Sequence, residues 1–123
     1  DPKISLNLNT TSNTVGQDAH EVVLTVTLEA KNGEVAVYLA EVKQAGVFVV
    51  RGFSPEETRR ILGSFAPNIL FPYIRQTVSD VVTKGGFPPF LLPHVNFDAL
   101  FERSMQERAA RQAPQGPTPE QTN

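Results

Sequence analysis

The alternation of side chains between residues 20 and 30 constrains the fold more than any other feature of the chain. Its even-numbered positions include the apolar residues Val22, Leu24, Val26 and Leu28. Its odd-numbered positions carry mostly glutamate and threonine. Since successive side chains of a strand point to opposite faces of a sheet, this run predicts a strand with one buried face. Asn32 and Gly33 then predict a tight hairpin turn, because both residue types tolerate a positive φ.

Similar patterns predict three more strands. They lie at residues 3–9, 34–44 and 47–51. Residues 10–18 are polar and rich in turn-forming types, so a connection is expected there. Ala45 and Gly46 predict a turn between the last two strands. Strands that follow one another through short turns favour an antiparallel meander.

The second half of the chain has helical periodicity. Helices are predicted at residues 55–63, 67–84 and 97–111. Ser54 and Glu57 have the spacing of a capping box at the first start, and Asn96 is an N-cap candidate for the last helix. The last helix carries an apolar face of Phe97, Leu100, Phe101 and Met105. Strands followed by helices predict an α+β fold, with the helices packed on one side of an antiparallel four-stranded sheet.

Composition narrows the functional class. The chain is 40% hydrophobic and 20% charged with a net charge of −2, which is typical of a soluble globular domain and disfavours nucleic acid as a partner. No apolar run approaches the roughly 18 residues of a membrane span, and the first residues do not form a secretory leader, so a cytoplasmic location is expected. We expect one domain over residues 1–111 and a disordered tail at residues 112–123, rich in proline and glutamine.

Few residues could support catalysis. His20 and His94 have neither a cysteine nor a glycine-rich phosphate loop beside them in the sequence. No serine lies in a nucleophile-elbow pattern. The sequence therefore predicts a protein that is not an enzyme, with no metal and no cofactor.

The loop at residues 85–95 is unusually apolar. It carries Phe87, Phe90, Leu91 and Leu92 among three prolines. Connecting segments are normally polar, so these side chains indicate either a lid on the core or a surface for apolar partners. Tyr38 and Phe48 are weaker candidates for the floor of a groove beneath this loop.

Two further surfaces have more than one interpretation. Leu39 beside Glu41 on the same strand face suits recognition of a basic or amphipathic peptide, or is an ordinary exposed strand. The other face of the same strand is directed to the core or to a neighbouring subunit. It carries Ala40, Val42 and Gln44. The same choice, core or subunit interface, holds for the helical stripe of Phe71, Ile74, Val78 and Val81.

The chain also resembles a known family over roughly residues 2–108. The segments that carry the resemblance are residues 20–24 (HEVVL), 39–42 (LAEV), 46–48 (GVF), 67–73 (PNILFPY), 86–88 (GFP) and 93–101 (PHVNFDALF). They are similar to the signature segments of SecB, the bacterial protein-export chaperone. The resemblance implies a further N-terminal segment that contains the first strand and acidic docking residues.

The resemblance implies roles for several of these residues. Leu39 and Glu41 match positions of the sheet surface that docks SecA, the export motor. The apolar loop, the last helix and the sheet match a groove for unfolded segments. The strand of Ala40, Val42 and Gln44 matches subunit contacts in a homotetramer built as a dimer of dimers.

The function expected from the resemblance is an ATP-independent holdase, a chaperone that binds unfolded precursor proteins and delivers them to SecA. Alternatives are a SecB-like chaperone of a toxin–antitoxin pair and a small apolar-ligand carrier or thioesterase-like domain. A purely structural oligomerisation domain also fits the apolar faces.

Overall fold

The computed structural model describes residues 2–112, which form an antiparallel sheet with helices on one face. Within that range the sheet has three strands, β1 (Lys3–Gly16), β2 (Ala19–Asn32) and β3 (Val35–Val49), in the order β1-β2-β3. The helical elements are α1 (Pro55–Arg60), the π-helical turn Ile61–Phe65, α2 (Ala66–Lys84) and α3 (Phe97–Gln112). The predicted α+β class is confirmed. The predicted tail, residues 112–123, lies outside the described residues except for Gln112.

The central strand β2 has the buried face that its alternation predicts. Val22, Leu24, Val26, Leu28 and Ala30 are each fully buried. Leu24 pairs with Thr10 of β1 and with Gln44 of β3, so the inner face continues across all three strands. The hairpin turn after β2 lies where it was predicted, with Gly33 at a φ of 65°. The local pattern therefore predicted correctly both this strand and the face that it buries.

The division of residues 34–51 into two strands was wrong. Strand β3 continues through Ala45 and Gly46, which pair with Val23 and Val22. A Cβ atom at Gly46 would lie 3.0 Å from Cδ2 of Leu70 on α2. The glycine therefore provides room for the helix and does not form a turn, which explains why three strands replace the four predicted.

Strand β1 also extends further than predicted. Residues 10–14, expected to be a connection, pair with residues 20–24 of β2. These residues lie beside β2, a regular strand with an apolar inner face. Threonine, the commonest residue type among them, is favoured in strands, so the segment can extend the sheet. The turn lies at residues 17–18, where Asp18 has a φ of 56°.

Residues 55–84 form one continuous helical rod, although the sequence predicted two separate helices with a boundary near Gly63. Gly63 lies inside the π-helical turn that joins α1 to α2. The Ala66 amide donates to the Ile61 carbonyl, which is the wider π spacing. Pro67 follows directly and has no amide hydrogen, so the helical hydrogen-bond ladder is interrupted at that point.

The core lies between the inner face of the sheet and α2. The buried residues of α2 include Leu70, Phe71, Ile74, Val78 and Val82. Leu92 and Phe97 belong to the same cluster, and the rings of Phe71 and Phe97 meet edge to face at 5.6 Å. The loop before α3 is thereby held on the core. No helix within residues 2–112 combines the length and the hydropathy that crossing a membrane requires.

Candidate functional site

A large open groove lies between the end of β1, residues 50–63 and α3. Its volume is about 930 Å³. The apolar part of its lining includes Leu8, Val50, Phe53, Leu62, Phe97, Leu100, Phe101 and Met105. Residues 9–14 of β1 add asparagine, threonine and serine side chains to the lining. The groove can therefore bury apolar side chains and offer hydrogen bonds to the same ligand.

The wall formed by α1 starts at the predicted capping box. The Glu57 amide donates to Oγ of Ser54 at 3.1 Å, and the Ser54 amide donates to Oε1 of Glu57 at 2.8 Å. Pro55 occupies the first turn, where its missing amide hydrogen is not needed. These reciprocal bonds fix the point where the chain leaves β3 and begins the helical rod.

A second wall of the groove, α3, begins at the predicted Asn96 cap. The Ala99 amide donates to Oδ1 of Asn96 at 3.0 Å. Helix α3 then packs on the π-helical turn, and most of its other side chains are exposed. Apart from Phe97, which packs on Phe71 of α2, α3 is held mainly through this contact and is expected to depend strongly on the few residues that make it.

Arg60 is the polar centre of that contact region. Its Nη1 donates to Oδ1 of Asp98 at 2.8 Å, and its Nη2 donates to Oε2 of Glu102. Oγ of Ser64 also donates to Oδ1 of Asp98, at 3.2 Å. The guanidinium carbon lies 4.9 Å from the centre of the Phe101 ring, a cation–π geometry. We call Arg60, Ser64, Asp98, Phe101 and Glu102 the α3 latch.

Arg60, the cationic residue of the latch, keeps its charge at neutral and acidic pH. The hydrogen bond to Glu102 is the main cause that raises the pKa of Arg60. Desolvation opposes it, and the charges of Glu102 and Asp98, together with the hydrogen bond to Asp98, raise the pKa further. A raised pKa means that this contribution is present below the unfolded pKa and is lost only as pH rises through the folded pKa. Both values lie far above neutrality, so neutral and acidic solutions leave Arg60 charged.

Replacing Arg60 with alanine is expected to speed amide hydrogen exchange in α3 severalfold, because the latch loses both charge-assisted bonds. Exchange in β2 should not change. Arg59→Ala is the matched control, since within residues 2–112 no carboxylate oxygen lies within 4 Å of its guanidinium nitrogens. Equal acceleration by both variants, measured by mass spectrometry, would contradict a specific role for the latch.

The predicted groove residues of the loop lie elsewhere. The Phe87 ring packs 4.7 Å from that of Tyr38, and Phe90 and Phe48 are also partly buried against the core. Leu92 is fully buried, while Nε of Arg75 donates to its carbonyl at 3.0 Å. Leu91 is 67% exposed and lines a smaller depression of about 520 Å³. None of the six predicted residues, all within residues 2–112, lines the large groove, and their role in binding stays a prediction.

The predicted docking residues lie on the outer face of the sheet. Leu39 is 67% exposed and pairs with Glu29 of β2. Glu41 is exposed too, and its Oε2 accepts a hydrogen bond from Oγ1 of Thr27 at 3.5 Å. The exposed Leu39 thus has Glu29 as its cross-strand neighbour and Glu41 two residues further along the same strand face. Its use in docking stays a prediction.

Most of the predicted interface residues lie inside the single chain. Ala40 and Val42 are each only 9% exposed and face α2 with the partly buried Gln44. Phe71, Ile74 and Val78 belong to the core beneath α2. Val81 differs, since it is 44% exposed. Of the four residues of the helical stripe, Val81 alone presents a substantial surface, and the subunit contact stays a prediction.

The large groove itself was only partly foreseen. Its α3 residues were recognised as one apolar face, and the start of α1 was recognised from its cap. Residues 8–14 and 50–53 were not connected with them, because these segments are far apart in the sequence. The arginines around the groove, at positions 51, 59, 103 and 108, were missed altogether. Arg59, Arg103 and Arg108 lie inside helices, where arginine is common, so no local signal in the sequence marked them.

The fold and the groove define an α+β domain with a partly apolar groove on its helical side. The sequence model of the family described as "Preprotein translocase subunit SecB" matches residues 1–108. Curated relatives agree: proteins named "Protein-export protein SecB" from Nitrosococcus oceani and Stenotrophomonas maltophilia are 48% and 49% identical over 107 residues. These matches cover 87% of this chain but only 65% and 62% of the relatives. The chain belongs to the SecB family.

Two other comparisons extend this result. A "Protein-export protein SecB" from Alcanivorax borkumensis is 45% identical over 120 residues, which cover 95% of this chain and 76% of the relative. A solved SecB-like chaperone from Mycobacterium tuberculosis, in complex with a ChAD peptide from the HigA1 antitoxin, matches with a TM-score of 0.66. The match covers 76% of this chain and 72% of the other, at 21% identity. The likeness supports the SecB-type fold.

Proposed function

We propose that this chain acts as an ATP-independent holdase in protein export, binding unfolded precursor proteins in the cytoplasm and delivering them to SecA. The observation that carries the proposal is the open groove of about 930 Å³ in a chain of the SecB family. Apolar side chains bury large areas at roughly 25 cal/mol per Å² without requiring one sequence. A groove of this kind suits many clients. We propose assembly as a dimer of dimers, in which Val81 contributes to the subunit contact.

The test is suppression of aggregation. A reduced, slowly refolding protein is diluted from denaturant with the assembled chaperone at stoichiometric chain ratios and without nucleotide, and light scattering is followed. We expect dose-dependent protection. Leu100→Gln should weaken it severalfold, because Leu100 lines the groove and is 37% exposed.

Leu91→Gln is the matched substitution in the apolar loop, since Leu91 is exposed but lies outside the large groove. Loss of protection in this variant alone would assign binding to the loop, as the sequence predicted. No protection by the assembled wild type would reject the holdase function. Tight binding of one apolar small molecule would then favour a ligand carrier.

SecA docking has its own prediction. Leu39→Arg and Glu41→Lys should each weaken SecA binding about tenfold or more. Both residues are exposed on one face of the sheet, and the substitutions replace an apolar and an acidic side chain with positive charge. Val47→Arg is the matched control, being 62% exposed on the same strand face but near its other end. Calorimetry measures the affinity. An equal loss with Val47→Arg would contradict a local docking surface, and client protection should be unchanged throughout.

A second candidate function is a SecB-like chaperone dedicated to a toxin–antitoxin pair. It is favoured by the Mycobacterium tuberculosis neighbour, which was solved with an antitoxin peptide. Client range separates the two functions. A general holdase protects several unrelated unfolded proteins, whereas a dedicated chaperone protects one partner and leaves the others to aggregate.

A further inference from the structure

The large groove contains the single methionine of the 123-residue sequence. Met105 lies on α3 and lines the groove together with Phe97 and Phe101. Successive members of this set are four positions apart, so they form one stripe along the helix. Phe97 is buried, whereas Met105 is only partly buried. The apolar stripe on this wall of the groove therefore ends in a side chain that solvent reaches.

The binding properties of Met105 depend on the oxidation state of its sulfur. Methionine is unbranched and polarisable, so it adapts to apolar groups of different shapes and is common on surfaces that bind many partners. Methionine sulfoxide is polar and chiral, and it disrupts apolar contacts of this kind. Oxidation of one sulfur atom would therefore make the accessible end of the apolar stripe polar.

A peroxide has few other groups to attack in this sequence. Thiolates and thioethers are the side chains that such oxidants convert, and the sequence has no cysteine. Met105 is partly exposed in an open groove of about 930 Å³. Hydrogen peroxide is little larger than water, so it can reach the sulfur without unfolding of the chain. We therefore expect oxidation within this sequence to be confined to one residue.

We propose that Met105 is a redox-sensitive modification site, at which oxidation by a peroxide lowers the affinity of the groove for unfolded segments. The sulfur lone pair attacks one peroxide oxygen, the O–O bond breaks and an S–O bond forms. In the case of hydrogen peroxide, the proton of the transferred oxygen moves to the other oxygen, which leaves as water. The sulfur loses two electrons, and the peroxide gains them.

The proposal rests on the holdase function above and adds a form of regulation of the same site. The modification is reversible, because methionine sulfoxide reductases restore the thioether. A groove with a thioether holds unfolded segments more tightly than a groove with a sulfoxide, since less apolar area is removed from water in the second case.

The test follows oxidation and protection in the same sample. The assembled protein is treated with hydrogen peroxide and freed of oxidant by gel filtration. One portion is digested for mass spectrometry, and the peptide that contains Met105 should gain one oxygen atom. A second portion enters the aggregation assay without nucleotide. The protein concentration that gives half protection should rise about fivefold, because one apolar contact is lost. Methionine sulfoxide reductases with dithiothreitol should restore the original value.

A relocated methionine is the matched control. Met105→Leu removes the oxidisable group at nearly constant volume. In that background, Gln106→Met places one methionine at the next position of α3, which is exposed and does not line the groove. Each protein is compared with itself before and after peroxide, so a difference in basal protection between variants does not affect the result. Met105→Leu should be insensitive to peroxide. The relocated methionine should be oxidised without a loss of protection.

Several results would overturn the proposal. Oxidation of Met105 in denaturant but not in the folded protein would show that the sulfur is shielded. Full oxidation with unchanged protection would leave the holdase function intact and remove the regulation. An equal loss with the relocated methionine would indicate general damage. A lower assembly mass after oxidation, measured by light scattering, would place Met105 in a subunit contact. If the untreated wild type gives no protection, the holdase function is rejected and this inference is rejected with it.

Discussion

Replacing Ile74 with alanine is expected to lower the free energy of unfolding by about 2–5 kcal/mol. Ile74 is fully buried at the centre of the cluster between α2 and the sheet. The substitution removes three carbon atoms and leaves a cavity that the close-packed neighbours can fill only in part. Urea unfolding followed by circular dichroism measures the change, which should appear as a lower midpoint with an unaltered slope.

Ile69→Ala on the same helix is the matched control. Ile69 is 41% exposed, so the same atoms are removed with little cavity formation. Alanine has a higher helix propensity than isoleucine, and this gain in helix stability applies equally to both positions. The difference between the variants therefore isolates burial. A loss at Ile69 as large as the loss at Ile74 would show that the exposed side of α2 is buried in the native assembly.

That comparison separates two roles of one helix. The sequence could not decide whether the stripe of α2 serves the core or a subunit contact, since both need the same spacing of apolar residues. In the single chain, Ile74 and Val78 are buried while Val81 is 44% exposed. Val81→Asp should leave the chain folded and reduce assembly, and light scattering measures the mass. An unchanged mass would contradict a subunit contact at this residue.

Local signals predicted local structure well. The alternation of β2, the capping box of Ser54 and the Asn96 cap each depend on residues within a few positions, and each is confirmed. Gly46 and Gly63 were misinterpreted as boundaries. Both provide space for a side chain from a distant element, Leu70 and Phe101 respectively. A sequence does not distinguish a glycine that turns the chain from one that admits a neighbour.

The groove could be identified only from the tertiary structure, because its parts come from distant segments of the chain. Its walls come from residues 8–14, 50–63 and 97–108, which no local periodicity connects. The unusual composition of the apolar loop predicted a binding surface, yet Leu92 is fully buried and Phe87 packs on Tyr38. Much of that loop therefore covers the core. Composition indicates that apolar groups need burial, but the fold decides where it occurs.

Gly63→Ala is expected to release α3 from the helical rod. A Cβ atom at Gly63 would overlap the Phe101 ring, with only 2.7 Å to Cε1. The ring must then move, and with it the cation–π contact to Arg60. In an exposed helix interior, glycine to alanine stabilises by roughly 0.5–1 kcal/mol. Here the sign should be reversed, and exchange in α3 should become much faster while β2 is unaffected.

A double-mutant cycle with Phe101→Ala makes the prediction specific. When the ring is absent, Gly63→Ala should be neutral or stabilising, because the added methyl group meets open space and the helix propensity improves. Loss of α3 packing also removes one wall of the groove, so Gly63→Ala alone should abolish client protection even though the sheet and α2 stay folded. A variant with mobile α3 and full protection would place client binding on the remaining surfaces and would reject the groove as the principal site.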